Sequence, residues 1–433
     1  MVRPVVSLVK FTDPYNTIRE ALELCGGLNS FRPDDKILIK PNLVGWDFDL
    51  PFPPYGMVTT SAVIFALVRI LAEQGFKKIT IGEGPLMIPH TIGHAMYNVL
   101  GYEKLKERYG VKLVDFNEDK FLAVNYEDFK FSISRKAFKA DKIINVPVLK
   151  THSQGKVSLG IKNLKGCLNR RSKTISRGKD ANLDHIFPLV AEQLTVALTI
   201  IDGIYTLNRG PSFTGKSYRK DVVLASTDLL ACDVAGAEIM GYSARDVEHI
   251  SYFAGRQGRS PDLKDIELVG EEIEKHRRFV DYDWKWTPED TMPLAFAKRG
   301  MTGLAVRKYD SSLCAGCSTL YNPMLILLMS SFRGEPFPNL EIVSGKRQYA
   351  SSGFDKTILF GKCACAVNKG NPAIKRAVEL KSCPPSAEEI ITKFKEEGID
   401  CNIEAYMAFR HHLFNRYKLE DGFKMDFYKE QAL

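Results

Sequence analysis

Lys142-Ile143-Ile144-Asn145-Val146-Pro147-Val148-Leu149-Lys150-Thr151-His152 is the stretch on which the reading of this chain turns. It opens as an almost continuous apolar run, the pattern of a strand buried on both faces of a parallel sheet. It then ends on a lysine, a threonine and a histidine. Setting such groups at the end of a buried strand costs desolvation unless they are used. In open α/β sheets ligands gather beyond the carboxyl ends of the strands, so Lys150, Thr151 and His152 are the first candidate site residues.

The segments around it repeat the theme. Val5–Phe11 reads as a strand, Thr17–Cys25 as a helix stopped by Gly26-Gly27, and Lys36–Lys40 as a short strand running into Pro41-Asn42. Thr60 opens a helical period (Val63, Ile64, Leu67, Val68, Leu71) that stops at Gly75. Lys78–Ile81 is again a strand, followed by the turn Gly82-Glu83-Gly84-Pro85. Ile186–Leu198 reads as helix, Ile200-Ile201 leads into Asp202-Gly203, and Val222–Ala225 is a strand whose loop, ending in Asp228, caps a helix over Leu229–Met240. Strands alternating with helices predict an α/β fold with a large, mostly parallel sheet covered by helices. Lys40, Glu83, Lys150, His152, Asp202 and Asp228 all fall at predicted strand ends.

The chain has 433 residues, too many for one comfortable core. A large α/β domain is expected over 1–275, a linker rich in Trp and Pro over 276–302, a smaller α/β domain over 303–400 and a helical tail over 401–433. The smaller domain has predicted strands at Leu304–Tyr309, Leu340–Val343 and Thr357–Phe360 and a helix at Ala387–Glu396. The composition, 45% hydrophobic and 26% charged, is that of a globular protein. No apolar run is long enough to span a bilayer and the N-terminus has no secretory pattern, so a cytoplasmic protein without a membrane anchor is expected.

Charge is concentrated. The net charge is +8, yet Lys150–Lys179 alone holds nine basic residues and no acid, so the remainder is close to neutral. One island of this kind points to a focused anion site; a solvated basic loop is the simpler alternative. No aromatic stacking pattern accompanies it, so nucleic acid is not expected. Within reach of the presumed sheet edge, Lys40, Lys162 and Lys165 supply cations, while Asn42 and Asn163 both donate and accept. The amides near Ser158-Leu159-Gly160, at a helix start, are a further anion-binding candidate. Lys150, His152 and Glu83 are the candidate catalytic groups, and Lys40, Asn42, Thr151, Lys162, Asn163, Lys165 and Asp202 the candidate substrate-binding ones. The small anionic substrate they suit would be a carboxylate or phosphate.

Five of the nine cysteines cluster late in the chain: Cys314-Ala-Gly-Cys317, Cys363-Ala-Cys365 and Cys383-Pro384-Pro385. Cys25, Cys167, Cys232 and Cys401 stand alone and read as core thiols. Four converging thiolates suit a [4Fe–4S] cluster or structural zinc. Zinc sites usually come as two close pairs, whereas here the third and fourth ligands are single, and Pro after the last Cys recurs in cluster loops. Both observations favour the cluster.

Cys314-x-x-Cys317, Gly361-Lys362-Cys363-Ala364 and Cys383-Pro384-Pro385 resemble the proximal-cluster ligands of nickel–iron hydrogenase small subunits and the related subunit of respiratory complex I. That resemblance implies a flavodoxin-like domain and a ligand set of Cys314, Cys317, Cys363 and Cys383, with Cys365 as an alternative; Val367-Asn368 stands where those proteins usually have Gly-Gly. The first 270 residues resemble the domain-of-unknown-function 362 family. The motifs that carry this are Lys40-Pro41-Asn42-Leu43, Gly82-Glu83-Gly84, Pro147 to His152, Ser158 to Gly166, Ile201-Asp202-Gly203, Gly210-Pro211, and Asp228 to Asp233 with Met240-Gly241. Members of that family often carry iron–sulfur ligands downstream, but the resemblance implies a fold and its parts, not a reaction.

Three functions follow as expectations. The first is an iron–sulfur oxidoreductase acting on a small anion in the basic pocket. The second is an electron carrier or reductive activator that docks on a partner redox enzyme through the basic island. The third is a binding protein with a structural cluster or zinc. No Gly-x-Gly-x-x-Gly fingerprint marks a nicotinamide or flavin site, so electrons are expected from an external donor such as a ferredoxin, with anaerobic chemistry; a homodimer is compatible with all three.

Overall fold

The computed structural model describes every residue except 1–2, 45–52, 86–92, 175–181, 210–214, 419 and 430–433. Arg177 and Lys179 of the basic island and the Gly210-Pro211 motif lie outside the described residues. Twelve strands belong to the first part of the chain: β1 (Val5–Lys10), β2 (Ile37–Pro41), β3 (Ile79–Glu83), β4 (Lys112–Asp115), β5 (Phe121–Tyr126), β6 (Phe129–Ser134), β7 (Lys142–Val146), β8 (Val148–His152), β9 (Lys156–Val157), β10 (Val196–Leu207), β11 (Ser217–Ser226) and β12 (Glu267–Gly270). β5 and β6 form a separate hairpin, and the others make one sheet in the order β12-β1-β11-β10-β7-β2-β3-β4, with β8 joined to β10 and β9. Pairing is parallel except where β11 meets β1 and β10 and where β9 meets β8. The fold is the expected mixed α/β one, its large sheet mostly parallel.

Two local readings differ from the sequence pattern. The expected strand over 142–149 is two strands interrupted at Pro147, which has no N–H to give a ladder and whose carbonyl accepts from Asp202 N at 2.9 Å. Both halves pair in parallel with β10, β7 through Val196–Thr199 and β8 through Asp202. The helix expected to reach Leu198 ends at Ala191. The residues that follow are rich in Val, Ile and Thr, stiff at χ1 and favoured in sheets. Between β7 and β11 they form a twelve-residue central strand.

The remaining strands, β13 (Leu304–Val306), β14 (Leu340–Ser344), β15 (Lys356–Phe360) and β16 (Ala377–Leu380), form an all-parallel sheet in that sequential order. Its helices span Ala315–Ser331, Lys362–Val367 and Ala387–Glu396. The expected linker is packed on both sides. Arg278 N and Val280 N donate to Ile239 O and Met240 O of the large unit, at 3.0 and 3.1 Å. Trp286 Nε1 donates to Val306 O at 3.0 Å, and Phe296 is buried in the core of the small unit. In the tail, a helix over Ile403–Asn415 packs on the helix Ala315–Ser331. The chain then returns to the large unit, where the Tyr55 ring lies 5.0–5.7 Å from those of Tyr205, Tyr417, Phe423 and Tyr428. No helix among the described residues is long and apolar enough to cross a membrane.

One buried carboxylate joins the sheet's helices near the presumed site. Asp233, on the helix Leu229–Ile239, accepts from Gly160 N at 2.6 Å and Ile161 N at 2.8 Å, the first amides of the short helix Gly160–Asn163. Asp233→Ala leaves both amides buried without an acceptor, each worth about 1–3 kcal/mol. The variant is expected to lose about 2–6 kcal/mol and to show a clearly lower urea midpoint, whereas an unchanged midpoint would mean that the amides find other acceptors.

Candidate functional site

The strand-end residues converge on a cavity of about 120 Å³ lined by Asn42, Val44, Glu83, Gly84, Lys150, His152, Gln154, Ser158, Lys162, Asn163, Lys165, Gly166, Lys173, Leu183 and Ser318. Alternation along β8 explains which of its residues enter. Lys150 and His152 share the cavity face, whereas Thr151 between them points away and donates to Leu207 O at 2.9 Å. Lys40, at the end of β2, is fully buried at the base of the cavity.

The floor is a buried ion pair. Lys40 Nζ donates to Glu83 Oε2 at 2.7 Å and to its neighbour's carbonyl, Pro41 O, at 2.8 Å. Glu83 also accepts from Gly84 N at 2.8 Å and Leu43 N at 3.3 Å. A Cβ at Gly166 would stand 2.1 Å from Glu83 Oε1 and 2.7 Å from Lys40 Nζ, so only glycine lets the backbone cover the pair. From the floor an amide network climbs the wall. Asn42 Oδ1 accepts from Lys150 Nζ at 2.6 Å, Asn42 Nδ2 donates to Asn163 Oδ1 at 3.0 Å, and Asn163 Nδ2 donates to Asn145 Oδ1 at 2.8 Å. Because an ammonium only donates, Lys150 sets the orientation of Asn42, and Asn42 that of Asn163.

The charge in this space is unbalanced. Glu83 is taken by Lys40, and no other carboxylate lines the cavity among the described residues. Lys150, Lys162, Lys165 and Lys173 remain. Burial lowers the ammonium of Lys150 to about 7, helped by Lys40 and opposed by Glu83. Burial likewise brings Lys165 and Lys173 to about 8 and Lys162 well below the usual lysine range. Lys162 and Lys165 are half-buried, as cavity-lining groups are, and both sit 5.7 Å from the centre of the Phe187 ring. Burial and then Lys162 and Lys165 hold His152 neutral, well below the ordinary imidazole value. Its Nδ1 accepts from Gln154 N at 3.1 Å, which leaves the ring proton on Nε2.

Four of the nine cations of the basic island, Lys150, Lys162, Lys165 and Lys173, line the cavity, whereas Arg170 and Arg171 are exposed. Lys173, Gln154 and Ser318 are not marked by the sequence as site residues, and Ser158 is marked there only for the amides around it. Lys173 carries a signal, since it lies in the same acid-free run; Gln154 and Ser318 carry none. Two expected groups are placed elsewhere. Asp202 accepts from Thr60 N at 2.7 Å and Ile204 N at 3.2 Å, holding the start of the helix Ser61–Glu73, and burial raises it to about 6. The first amides of Gly160–Asn163 are occupied by Asp233, so they offer nothing to an outside anion.

The second unit closes the cavity. Ser318 lines it, Gln154 Nε2 donates to Leu313 O, and the charge of Lys165 is felt by that of Cys314. Cys314, Cys363 and Cys383 follow β13, β15 and β16, at the carboxyl ends of three parallel strands, and Cys317 lies one turn past Cys314. Cys314 and Cys317 share a hydrogen bond that favours the Cys314 thiolate, with help from the amides of Cys317 and Gly316 and from Lys346. The same contact, with burial and the nearby Cys363 and Cys383, holds the Cys317 proton on. Gly361, at φ 93°, leaves its Cβ position 3.1 Å from Cys317 Sγ. Cys365 projects from the other side of the turn that carries Cys363 and points its thiol at Leu359 O and Leu380 O, at 3.7 and 3.8 Å. Among the described residues no three His, Cys, Asp or Glu side chains are gathered tightly enough to hold a single metal ion.

Residues 37–238 match the family described as Domain of unknown function (DUF362). That span contains every lysine of the cavity and ends before the clustered cysteines. The chain is also 28% identical over 286 residues to Thylakoid-associated protein sll1697 of Synechocystis sp., covering 65% of this chain and 85% of that protein. Among solved structures, the lactate racemase apoprotein from Thermoanaerobacterium thermosaccharolyticum aligns with 14% identity and a TM-score of 0.36. The alignment covers 56% of this chain and 58% of that one, less than two thirds of its length.

Sulfate tests the cavity, because its charge is constant across the relevant pH range. Each cavity lysine has a folded-state pKa below the ordinary 10.5, so the unfolded chain binds more protons between about 7 and 10.5 and stability rises with pH there. An anion that binds the protonated lysines offsets this burden most at low pH. Sulfate is therefore expected to raise Tm strongly near pH 6 and progressively less as pH passes about 7 and about 8. Equal increments near pH 6 and pH 9 would show that these lysines do not hold the ion.

Proposed function

We propose that this protein is a cytoplasmic iron–sulfur oxidoreductase whose substrate, a small anion, occupies the lysine cavity. The observation that carries the reading is the shared wall. The turn that begins at Cys314 and reaches Ser318 closes the same cavity into which Lys150, His152, Lys162, Lys165 and Lys173 project. The donor set fits a [4Fe–4S] cluster: Cys314, Cys317, Cys363 and Cys383 are four thiols at one edge of one sheet. The irons of a cluster are themselves spaced apart, so its ligands need not close on a single point as they do around zinc. When bound, the cluster supplies single-electron chemistry.

The chain's own residues do the rest. Lys162, Lys165 and Lys173 bind the anionic group by charge-assisted hydrogen bonds, strengthened because burial desolvates all three lysines. Lys150, held by Asn42 and Met57 O, fixes one edge of the ligand. His152, neutral and carrying its proton on Nε2, donates to a substrate oxygen and can deliver that proton as negative charge develops. Glu83 and Lys40 neutralise each other and keep the floor rigid. Cys383 is exposed, and the flanking Lys362 and Lys381 are exposed as well, which suits an acidic donor of the ferredoxin class.

Two sets of variants separate the parts. Lys150→Ala and His152→Ala are expected to lower turnover by at least about 100-fold while iron content stays unchanged. Wild-type activity in both, measured on a reducible substrate, would remove the cavity from the mechanism. Cys383→Ser is expected to lose iron and the dithionite-reducible EPR signal, against about four irons per wild-type chain. Full iron in that variant would mean that the fourth ligand lies elsewhere, and zinc without iron in the wild type would end the redox reading.

A further inference from the structure

Lys150 is held differently from the other cavity lysines. Its Nζ donates to two oxygens, Asn42 Oδ1 and Met57 O, and to no carboxylate. Both acceptors are themselves tied down. Asn42 N donates to Thr59 Oγ1 at 2.8 Å and its side chain to Asn163, while Met57 N donates to Pro54 O at 2.8 Å. A neutral primary amine has two N–H bonds and one lone pair. Two fixed acceptors consume the hydrogens, and the lone pair is left to the remaining direction at a residue that lines the cavity. Lys150 is 1% exposed and its cationic neighbour Lys40 lies behind it, and both facts disfavour the ammonium. A desolvated lysine beside other cations is the arrangement in which the amine becomes a nucleophile toward carbonyl carbon.

The other lysines define what the carbonyl must carry. Lys162, Lys165 and Lys173 line the same cavity without a carboxylate partner there, which demands an anionic group on the ligand. The cavity volume admits a molecule of a few heavy atoms. We propose that Lys150 forms an imine with the keto carbon of a small 2-oxo carboxylate, whose carboxylate rests among Lys162, Lys165 and Lys173. The inference rests on the proposed reading for the location of the substrate, and not on its redox chemistry.

The step balances without an oxidant or reductant. The Nζ lone pair adds to the keto carbon, the C=O π pair moves to oxygen, and one N–H proton passes to that oxygen to give a carbinolamine. The hydroxyl then leaves as water, taking up a proton while the nitrogen gives up its second one, and a C=N bond replaces C=O. His152 Nε2–H, two residues along the same strand face, is the donor available to the departing oxygen.

Trapping tests this directly. The full-length protein as purified is incubated with pyruvate or glyoxylate and sodium cyanoborohydride, which reduces an imine to a stable secondary amine, and the adduct is located by peptide mass mapping. One adduct at Lys150 is expected, with labelling suppressed by excess sulfate and reduced about 10-fold at low ligand concentration in Lys165→Ala. Lys150→Arg, which keeps a charge but is not a nucleophile, should lose it. No adduct at Lys150 in the wild type, or labelling spread over exposed lysines and indifferent to sulfate, overturns the proposal without recourse to any variant. Iron analysis and EPR on the same sample keep the two readings apart. An adduct without iron upholds the imine and removes the cluster, whereas iron without an adduct removes the imine alone.

Discussion

Five lysines and one glutamate meet at the carboxyl ends of β2, β3 and β8, and the rest of the site is arranged around that imbalance. Breaking a buried ion pair by removing one partner is costly, because the survivor is left uncompensated in a medium that solvates it poorly. Lys40 and Glu83 satisfy each other and are roofed by a glycine. Among the described residues the four lysines above them have no such carboxylate partner. Their ammonium groups are tolerated only in part, which is why burial moves all four downward. An anion bound among them would offset this burden, which is the ground of the proposed substrate class.

The surrounding polar groups are used for rigidity. Asp233, within a predicted helix, and Asp202, at a predicted strand end, are both spent on backbone amides, the first at Gly160 and Ile161 and the second at Thr60 and Ile204. Each holds an element that lines or supports the cavity: the short helix bearing Lys162 and Asn163, and the long helix after Thr60. The tail contributes at longer range. Tyr428 Oη accepts from Gly56 N at 3.3 Å, next to the carbonyl of Met57 that holds Lys150. Residues that follow the cysteine-bearing unit thus return to steady a wall of the cavity in the first unit, and the two parts of the chain are one construction around one space.

Much of this was legible in the residues. The alternation of apolar strands with helices gave the mixed, mostly parallel sheet, and Lys40, Glu83, Lys150 and His152 stood out because polar groups at the ends of buried strands are expensive. The acid-free run from Lys150 to Lys179 announced a local positive field. The errors have physical causes as well. Ile186–Leu198 has the hydrophobicity of either element, and only the two neighbouring strands decide that Val196 onward is sheet. Thr151 was grouped with Lys150 and His152 by adjacency, although a strand sends alternate side chains to opposite faces.

By itself the sequence determined the kinds of group present and the strand ends at which they appear, because hydrophobic periodicity and the cost of burying charge are local properties. It also determined that five cysteines lie close together in the chain. Only the tertiary structure decided that four lysines of the basic run face one cavity, that Ser318 shares it with them, that Asp202 and Asp233 are occupied by amides, and that Cys365 turns away from Cys363. These depend on which element packs on which and on which acceptor reaches a donor first. Such contacts join residues far apart in the chain, and no window of sequence contains both partners.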